Sequence, residues 1–387
     1  MAFKELMEAL YFVCTYSFWR MGVLWTFPLI FSYVKLFTQS IFFKKPIYRH
    51  CAVSPLPPTT SASSTSNKTS GRGLPICIIT GATSGLGAAT ALALSKEGFC
   101  VVLAGRSSDK LSKVMSDIRK QNKDANLEAF QVDLLSFSSI MRFKESIEQW
   151  ILDSNMHPSI QLLINNAGIL ATTRRFTTEG HDEMMGTNYI GAFSLTQVLL
   201  PLLKKSPVPP RIIIVTSFTH RNVSSFRAEK ETVSGNCFSR INSYPFAQIY
   251  EYSKLCVLLF SYELHRQFHL TEGTQPISVM VVDPGAVKTD IMREVPWYIS
   301  QTAFFCLQLL GLLQSPETGV SSMLDAALAR PETSGLYFFG GKGRTLESSA
   351  LSHDIKLSRE LWDTSNDILQ DSLVYYNRGS ASCEKTA

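Results

Sequence analysis

The strongest constraint on the fold is a series of seven short apolar segments that alternate with amphipathic helical patterns. In order they read PICIITGA, FCVVLAGR, EAFQVDL, IQLLINNAG, RIIIVTS, ISVMVVDPG and GLYFFGG. Most are continuous apolar runs rather than alternating ones, which is typical of strands that are covered on both faces. We therefore predict an α/β domain over residues 74–373, with a Rossmann-type, doubly wound sheet of seven mainly parallel strands and helices on both faces.

The N-terminus has a different composition. It is almost wholly apolar and aromatic up to residue 43, interrupted by Arg20 and Lys35. The uncharged run between them is shorter than the roughly 20 residues that a spanning helix needs, so a span would require Lys35 to reach the interface. We predict a membrane anchor over residues 1–50, as one tilted span or a monotopic insertion, in which Pro28 favours a kink. The alternative is a buried helical extension packed on the domain.

The composition also predicts a basic flank after the anchor and two polar segments. Lys44, Lys45 and Arg49 flank the apolar run, and the positive-inside rule then places the domain in the cytosol, most simply at the endoplasmic reticulum or another endomembrane. Residues 51–73 are rich in Ser, Thr and Pro and predict a flexible linker. Residues 374–387 are polar and predict a loose tail.

Charge and cysteine usage exclude some classes of function. The net charge of +5 is mild and its lysines and arginines are scattered, which argues against a nucleic-acid partner. The eight cysteines lie far apart and lack zinc-ligand spacing. We therefore predict no metal site and a reducing compartment.

The segment TGATSGLG follows the first predicted strand and opens a helix. Glycines at such a turn let the backbone approach a pyrophosphate, and the helix N-terminus supplies N–H donors. Alone, the pattern also fits an ordinary tight turn, but its place on the first of seven strands favours a dinucleotide. The predicted contacts are Gly81, Thr83, Ser84, Gly85, Leu86 and Gly87.

The end of the second strand indicates which dinucleotide binds. Sites for NAD place an acidic residue there to hold the ribose hydroxyls. This chain has Gly105 and Arg106 instead. A guanidinium pairs well with a 2′-phosphate, so we predict NADP(H) in preference to NAD(H). The alternative is that Arg106 is a solvated loop residue.

Two further strand ends are predicted to border the cofactor. Asp133 and Leu134 end the third strand and are suited to the adenine edge, although Asp133 could equally cap the helix that follows. The fourth strand ends in NNAG, whose Asn165, Ala167 and Gly168 would lie under the cofactor.

The segment YEYSK places Tyr250 and Lys254 four residues apart, on one face of a helix. A free tyrosine has a pKa of about 10, and a nearby ammonium lowers it toward a useful value. Ser217 ends the fifth strand, where ligands bind in open sheets. Asn188 lies inside a predicted helix, a poor place for asparagine, which suggests a buried relay.

The order of TGxxxGxG, NNAG, the asparagine helix, the serine strand, YxxxK and DPGAVKT resembles the short-chain dehydrogenase/reductase family over residues 74–345. Segments such as GRSS and YSKLCVLLF are most similar to its retinol-dehydrogenase and WW-domain-oxidoreductase branch. The resemblance implies that Tyr250 transfers the proton, Lys254 binds the nicotinamide ribose and lowers the tyrosine pKa, Ser217 orients a carbonyl, and Asn188 holds a water linked to the lysine. It also implies that four residues border the nicotinamide: Pro284, Gly285, Val287 and Thr289.

After the DPG segment, residues 296–314 are strongly apolar and fall where the family has its substrate lid. They predict a lid over a lipophilic pocket, a second membrane-contacting surface, or a plain core helix. We predict a membrane-associated oxidoreductase that interconverts a small lipophilic carbonyl compound and its alcohol. The alternative is a catalytically quiet scaffold that reports redox state through bound cofactor. Members of the family often pair through their helices, so the resemblance also admits a homo-oligomer.

Overall fold

A computed structural model describes residues 2–42, 48, 50–53, 56, 73–154, 156–270 and 277–384. The strands are β1 Ile76–Thr80, β2 Cys100–Gly105, β3 Leu127–Gln131, β4 Leu162–Asn165, β5 Arg211–Val215, β6 Ser278–Asp283, β7 Ala286–Val287, β8 Leu313–Gln314, β9 Tyr337–Phe339 and β10 Thr345–Leu346. The α-helices are α1 Ala2–Val13, α2 Tyr16–Trp19, α3 Thr26–Phe42, α4 Gly85–Lys96, α5 Ser108–Gln121, α6 Phe137–Asp153, α7 Glu183–Met185, α8 Gly191–Lys204, α9 Lys230–Val233, α10 Phe246–Leu270, α11 Trp297–Leu309, α12 Pro316–Ala327 and α13 Ile355–Glu384. Turns of π-helix occupy Arg20–Leu24 and Gly186–Ile190, and short 3-10 helices occupy Phe218–Asn222, Asn236–Phe238, Asp290–Met292 and Ala350–His353.

The main sheet confirms the predicted architecture. Its strand order is β10-β9-β6-β5-β4-β1-β2-β3. All seven predicted strands pair in parallel. The sequence prediction missed β10, which adds an antiparallel edge, and the separate parallel pair of β7 and β8. Each of these three strands has two residues, too few for a recognisable pattern. The order reverses between β1 and β4, where ligands bind in doubly wound sheets.

The continuous apolar strands are explained by burial on both faces. In β1, Ile76 and Ile78 contribute to one hydrophobic core, and Cys77 and Ile79 contribute to the other. Helices α6, α8 and α10 supply side chains to the first core, while α4, α5 and α12 supply the second. The sheet is therefore held between two helical layers, and its carboxyl edge remains accessible to ligands.

The N-terminal helix, defined here as Tyr16–Phe42, packs on this domain along one face. Leu29 and Leu36 are buried, while Phe27 and Phe31 on the other face are more than half exposed. By length and composition these 27 residues could cross a membrane, a test that the buried helix of a soluble domain also passes. The extension is thus packed on the domain, but its outer face is not buried.

Pro28 lies in the first turn of α3, shortly after the helix type changes. The π-helical turn at Arg20–Leu24 ends four residues before Pro28. That is the position whose carbonyl loses its helical hydrogen bond to a proline. Pro28 therefore coincides with a local irregularity in the helix rather than with its end.

Parts of the segments predicted as basic flank, linker and tail contact the domain where the structure describes them. The Tyr48 ring packs against Phe338, with ring centroids 5.7 Å apart, and the Cys51 N–H donates to the Leu328 carbonyl. Residues 54, 55 and 57–72 of the linker, and the basic residues at 44, 45 and 49, lie outside the described residues. In the segment predicted as a tail, α13 continues to Glu384 and Tyr376 packs edge-on against Phe137.

Candidate active site

The glycine-rich turn has the geometry that a phosphate group needs. It leads from β1 directly into α4, which begins at Gly85. A Cβ at Gly87 would collide with the carbonyl oxygen of Gly81, so the close approach of these two backbones requires glycine. The N–H groups of the first turn of α4 lack partners within the helix and are available to an anion at this end.

The end of β2 carries two cations rather than one. Arg106 lines the cavity described below together with Lys110, which lies four residues later in the first turn of α5. Ser107 caps α5 by accepting a hydrogen bond from the Lys110 N–H. Gly105 lies against Thr83, and a Cβ at Gly105 would be 2.8 Å from the Thr83 methyl carbon. The sequence prediction did not include Lys110, although its position four residues after Arg106 could have indicated a second cation at this site.

The alternative role for Asp133 is decided by the helix cap. Ser136, not Asp133, caps α6 by accepting a hydrogen bond from the Ser139 N–H. Asp133 accepts from the Leu135 N–H at 3.1 Å and lines the cavity with Leu134.

In the NNAG segment, Asn165 lies in the core, whereas the other three residues line the cavity. Asn165 donates to the Thr196 hydroxyl at 2.9 Å beneath β4 and does not line the cavity, contrary to the prediction. Its side chain points away because alternate residues of a strand face opposite sides of the sheet. The neighbouring Asn166 lines the cavity instead, with Ala167 and Gly168, and donates to the Thr80 carbonyl.

The proposed chemical groups meet at the carboxyl ends of β5 and β6. Tyr250 and Lys254 lie on α10, and the Lys254 ammonium is 5.5 Å from the centre of the Tyr250 ring. The Ser217 side chain is hydrogen-bonded to Tyr250. Lys254 donates to the Val215 carbonyl at 3.3 Å. These contacts bring the three predicted side chains together at the floor of one cavity.

The family resemblance implies that Lys254 lowers the pKa of Tyr250, but the pKa of Tyr250 is raised in this structure. Burial raises the pKa of Tyr250 well above its usual value, and the nearby Asp283 charge adds to this, while the Ser217 hydrogen bond opposes it. Burial lowers the pKa of Lys254 to about 8, and Asp283 partly offsets this effect. The largest cause of the raised Tyr250 pKa is desolvation of the buried phenol, which the Lys254 ammonium, 5.5 Å from the ring centre, does not offset.

Asp283 was missed as a site residue. Its carboxylate is fully buried and accepts hydrogen bonds from the Tyr337 hydroxyl at 2.5 Å and the Gly285 N–H at 2.9 Å. Burial raises its pKa, and these hydrogen bonds oppose the rise. Its place at the start of the DPG segment was the available signal.

Asn188 is buried in the π-helical turn at Gly186–Ile190. Its side-chain oxygen accepts from the Ile169 N–H at 2.8 Å, and its amide donates to the Ile169 carbonyl and the Ser253 hydroxyl, both at 3.0 Å. Asn188 does not line the cavity. It ties the loop after β4 to α10, one residue from Lys254.

These groups border a single cavity of about 850 Å³. One side, the sheet wall, is formed by strand ends and α10 and contains every predicted site residue except Asn165 and Asn188. A second part of the lining, the apolar wall, comes from the N-terminal helix and from α11 with the residue that caps it. Its members are Phe18, Met21, Trp25, Leu29, Ile299, Phe304, Leu307 and Leu310.

Helix α11 is the predicted lid segment, and it is not a core helix. Phe304 and Leu307 line the cavity, whereas Trp297, Phe305 and Leu309 are each more than 60% exposed on the outside. The N-terminal residues of the apolar wall were not predicted, since an aromatic, apolar stretch gives no signal for a catalytic cavity.

A family model described as short chain dehydrogenase matches residues 75–228. The chain is 33% identical over 298 residues to the polyprenol dehydrogenase of Homo sapiens, covering 75% of this chain and 83% of that protein. It is 31% identical over 311 residues to retinol dehydrogenase 13 of Mus musculus, covering 78% and 86%. Its fold is similar to that of an NADPH-bound short-chain oxidoreductase of Pseudomonas aeruginosa PAO1, with a TM-score of 0.52 and 20% identity over 71% of this chain and 98% of that one.

Proposed function

The chain belongs to the short-chain dehydrogenase/reductase family, in its retinol-dehydrogenase-like branch, and we propose that it is a membrane-associated, NADP(H)-dependent enzyme that interconverts a lipophilic aldehyde or ketone and its alcohol. One observation carries the proposal. Ser217, Tyr250 and Lys254 line the same cavity as the glycine-rich turn on one side and the apolar wall on the other.

The residues present fit a dinucleotide with a 2′-phosphate. The glycine-rich turn and the start of α4 would hold the pyrophosphate, with Ala167, Gly168, Pro284 and Gly285 bordering the nicotinamide half. Arg106 and Lys110 would pair with the 2′-phosphate. A carboxylate at position 105, of the kind that selects NAD, would have to displace Thr83.

When bound, the nicotinamide supplies a hydride to the carbonyl carbon in reduction or accepts one in oxidation. Ser217 would hold the carbonyl oxygen by a hydrogen bond, and Tyr250 would give that oxygen its proton. Since burial raises the pKa of Tyr250, the phenol is protonated at neutral pH and ready to donate. NADPH is the more reduced pool in the cytosol, so we propose carbonyl reduction as the working direction.

Lys254 would stabilise the tyrosinate that donation leaves behind. Its pKa of about 8 keeps a substantial fraction charged at neutral pH. The same side chain would reach the nicotinamide ribose. Asn188 would act by fixing the loop after β4, through its hydrogen bonds to Ile169, and by holding a water linked to Lys254, as the family resemblance implies.

The substrate and membrane parts of the proposal rest on the apolar surfaces. Both segments of the apolar wall expose aromatic and aliphatic side chains on their outer faces, including Trp19, Phe27, Trp297 and Phe305. Tryptophan and phenylalanine on such a face favour interfacial, monotopic binding. The relatives are named for polyprenol and retinol, which are lipophilic alcohols. We propose that the cavity opens beside the membrane of the endoplasmic reticulum or another endomembrane, with the domain in the cytosol.

The test uses the full-length protein in detergent and in vesicles. NADPH and NADH are titrated by nicotinamide fluorescence, and then retinal, a polyprenal, hexadecanal and a small sugar aldehyde are offered. We expect tighter binding of NADPH, oxidation of NADPH with lipophilic aldehydes only, and flotation of the protein with vesicles. Cofactor binding without turnover of any carbonyl would contradict the enzyme and favour a redox-reporting scaffold. Failure to bind either cofactor would contradict the whole proposal.

A further inference from the structure

Glu251 directly follows the proposed catalytic tyrosine, and its carboxylate is completely buried. It accepts hydrogen bonds from the Arg20 guanidinium, with Nε at 2.8 and 2.9 Å from the two carboxylate oxygens and Nη2 at 2.6 Å from Oε2. The Trp25 indole N–H donates a further bond at 2.7 Å. A buried carboxylate needs such partners, since leaving it unpaired costs several kcal/mol. Both of these partners come from the N-terminal helix.

The same helix contacts the reacting end of the cavity. The Trp25 ring lies on the Tyr250 ring, with centroids 5.3 Å apart. One and two turns later, Leu29 joins a hydrophobic cluster with Phe218, and the Tyr33 hydroxyl accepts a 2.6 Å hydrogen bond from Gln314. Gln314 also donates to the Pro284 carbonyl at 3.1 Å, in the loop that would border the nicotinamide.

We propose that the N-terminal helix is a working part of the active site and not only an anchor. Arg20 is a positioning residue, which holds Trp25 against Tyr250 through Glu251, and Trp25 shapes the site for long apolar substrates. This inference rests on the proposed function, because it assigns these residues a part in binding and reducing the lipophilic carbonyl. It predicts that the segment cannot be removed without cost to catalysis.

The geometry explains how a distant ion pair would affect turnover. Without Arg20, the Glu251 carboxylate would be buried beside Tyr250 without its cationic partner. Movement of the N-terminal helix away from the domain would let water reach the carboxylate, which lowers the free energy of the protein. Trp25 then leaves the cavity, and the apolar wall opens to solvent. Substrate binding weakens, and the proton donor loses its dry, fixed surroundings.

The test compares four full-length variants in detergent. They are Arg20→Met, Glu251→Gln, the double variant, and Lys35→Met, which removes the exposed Lys35–Glu347 pair on the same helix. NADPH affinity is measured by fluorescence, turnover with hexadecanal and with benzaldehyde, and attachment of the helix by hydrogen exchange of peptides from residues 16–42. In Arg20→Met we expect faster exchange and a fall in kcat/KM for hexadecanal of about tenfold or more, while the NADPH Kd changes by less than about twofold.

The double variant should recover most of this loss, since it leaves no unpaired buried charge, and Lys35→Met should resemble the wild type. In a further variant, Trp25→Ala, hexadecanal should lose more kcat/KM than benzaldehyde. If Arg20→Met matches Lys35→Met, or if exchange accelerates while kcat/KM is unchanged, the inference is wrong. A wild type that binds NADPH but reduces neither aldehyde contradicts the proposed function instead, and hydrogen exchange would still report whether Arg20 holds the helix.

Discussion

The two walls of the cavity are assembled in different ways. The sheet wall uses residues that follow individual strands, so each local motif arrives at the same edge once the parallel sheet forms. The apolar wall joins residues 18–29 to residues 299–310, which meet only through tertiary packing. The proposed chemistry therefore depends on short motifs plus topology, whereas the space proposed for the substrate is formed by two helices packed over them.

Tyr250→Phe should give the largest effect, because it removes the proposed proton donor and leaves the sheet wall in place. We expect kcat to fall about a thousandfold, within the range for general acids. The NADPH Kd should be nearly unchanged, since the contacts proposed for the pyrophosphate and the 2′-phosphate do not use the Tyr250 hydroxyl. Turnover close to that of the wild type would show that the sheet wall does not hold the chemistry.

The contrast between the walls also explains what could be predicted from the sequence. All seven parallel strands of the main sheet were predictable, because continuous apolar runs are a local signal, whereas Asp283 at the end of β6 was missed. Asn165 was misplaced because the choice between two adjacent asparagines depends on which face of β4 each one occupies. Trp25 was not predictable, because its role depends on a buried carboxylate more than 200 residues away.

Lys254→Met should show that burying the Lys254 ammonium in the sheet wall destabilises the cofactor-free protein. The pKa of Lys254 in the folded protein is lowered to about 8 from 10.5. The unfolded chain therefore binds more protons between these values, and wild-type stability gains from this group as pH rises from 8 to 10.5. Below pH 8 the full cost remains, so the variant should be more stable at pH 7 by about 3 kcal/mol in the absence of cofactor.

Denaturant unfolding of the cofactor-free protein across this pH range measures the effect as a difference between wild type and variant. Taking the difference removes the contribution of other groups, including Tyr250. If Lys254→Met is less stable at pH 7, and its free energy of unfolding changes with pH as that of the wild type does, then burial does not lower the pKa of Lys254.

The third prediction concerns the phosphate end of the sheet wall. Arg106→Ala with Lys110→Ala should weaken NADPH binding about tenfold or more, since each cation would contribute a charge-assisted hydrogen bond to the 2′-phosphate. NADH lacks that group, and its Kd should change by less than about twofold. Fluorescence titrations at two salt concentrations measure both values. Equal weakening of the two cofactors would contradict the assignment of these cations to the 2′-phosphate.

The smallest effect is expected on the apolar wall, where each contact is one of many. Leu307→Ala removes side-chain atoms that line the cavity, and each lost methylene contact contributes about 0.8 kcal/mol when fully buried. Because Leu307 is half-buried, we expect KM for hexadecanal to rise about fivefold, with kcat and the KM for benzaldehyde little changed. Leu309→Ala is the matched control, since Leu309 lies on the same helix with 71% of its surface exposed and does not line the cavity. Equal effects of the two variants would mean that α11 affects activity through its outer surface, and the apolar wall would then no longer explain substrate selection.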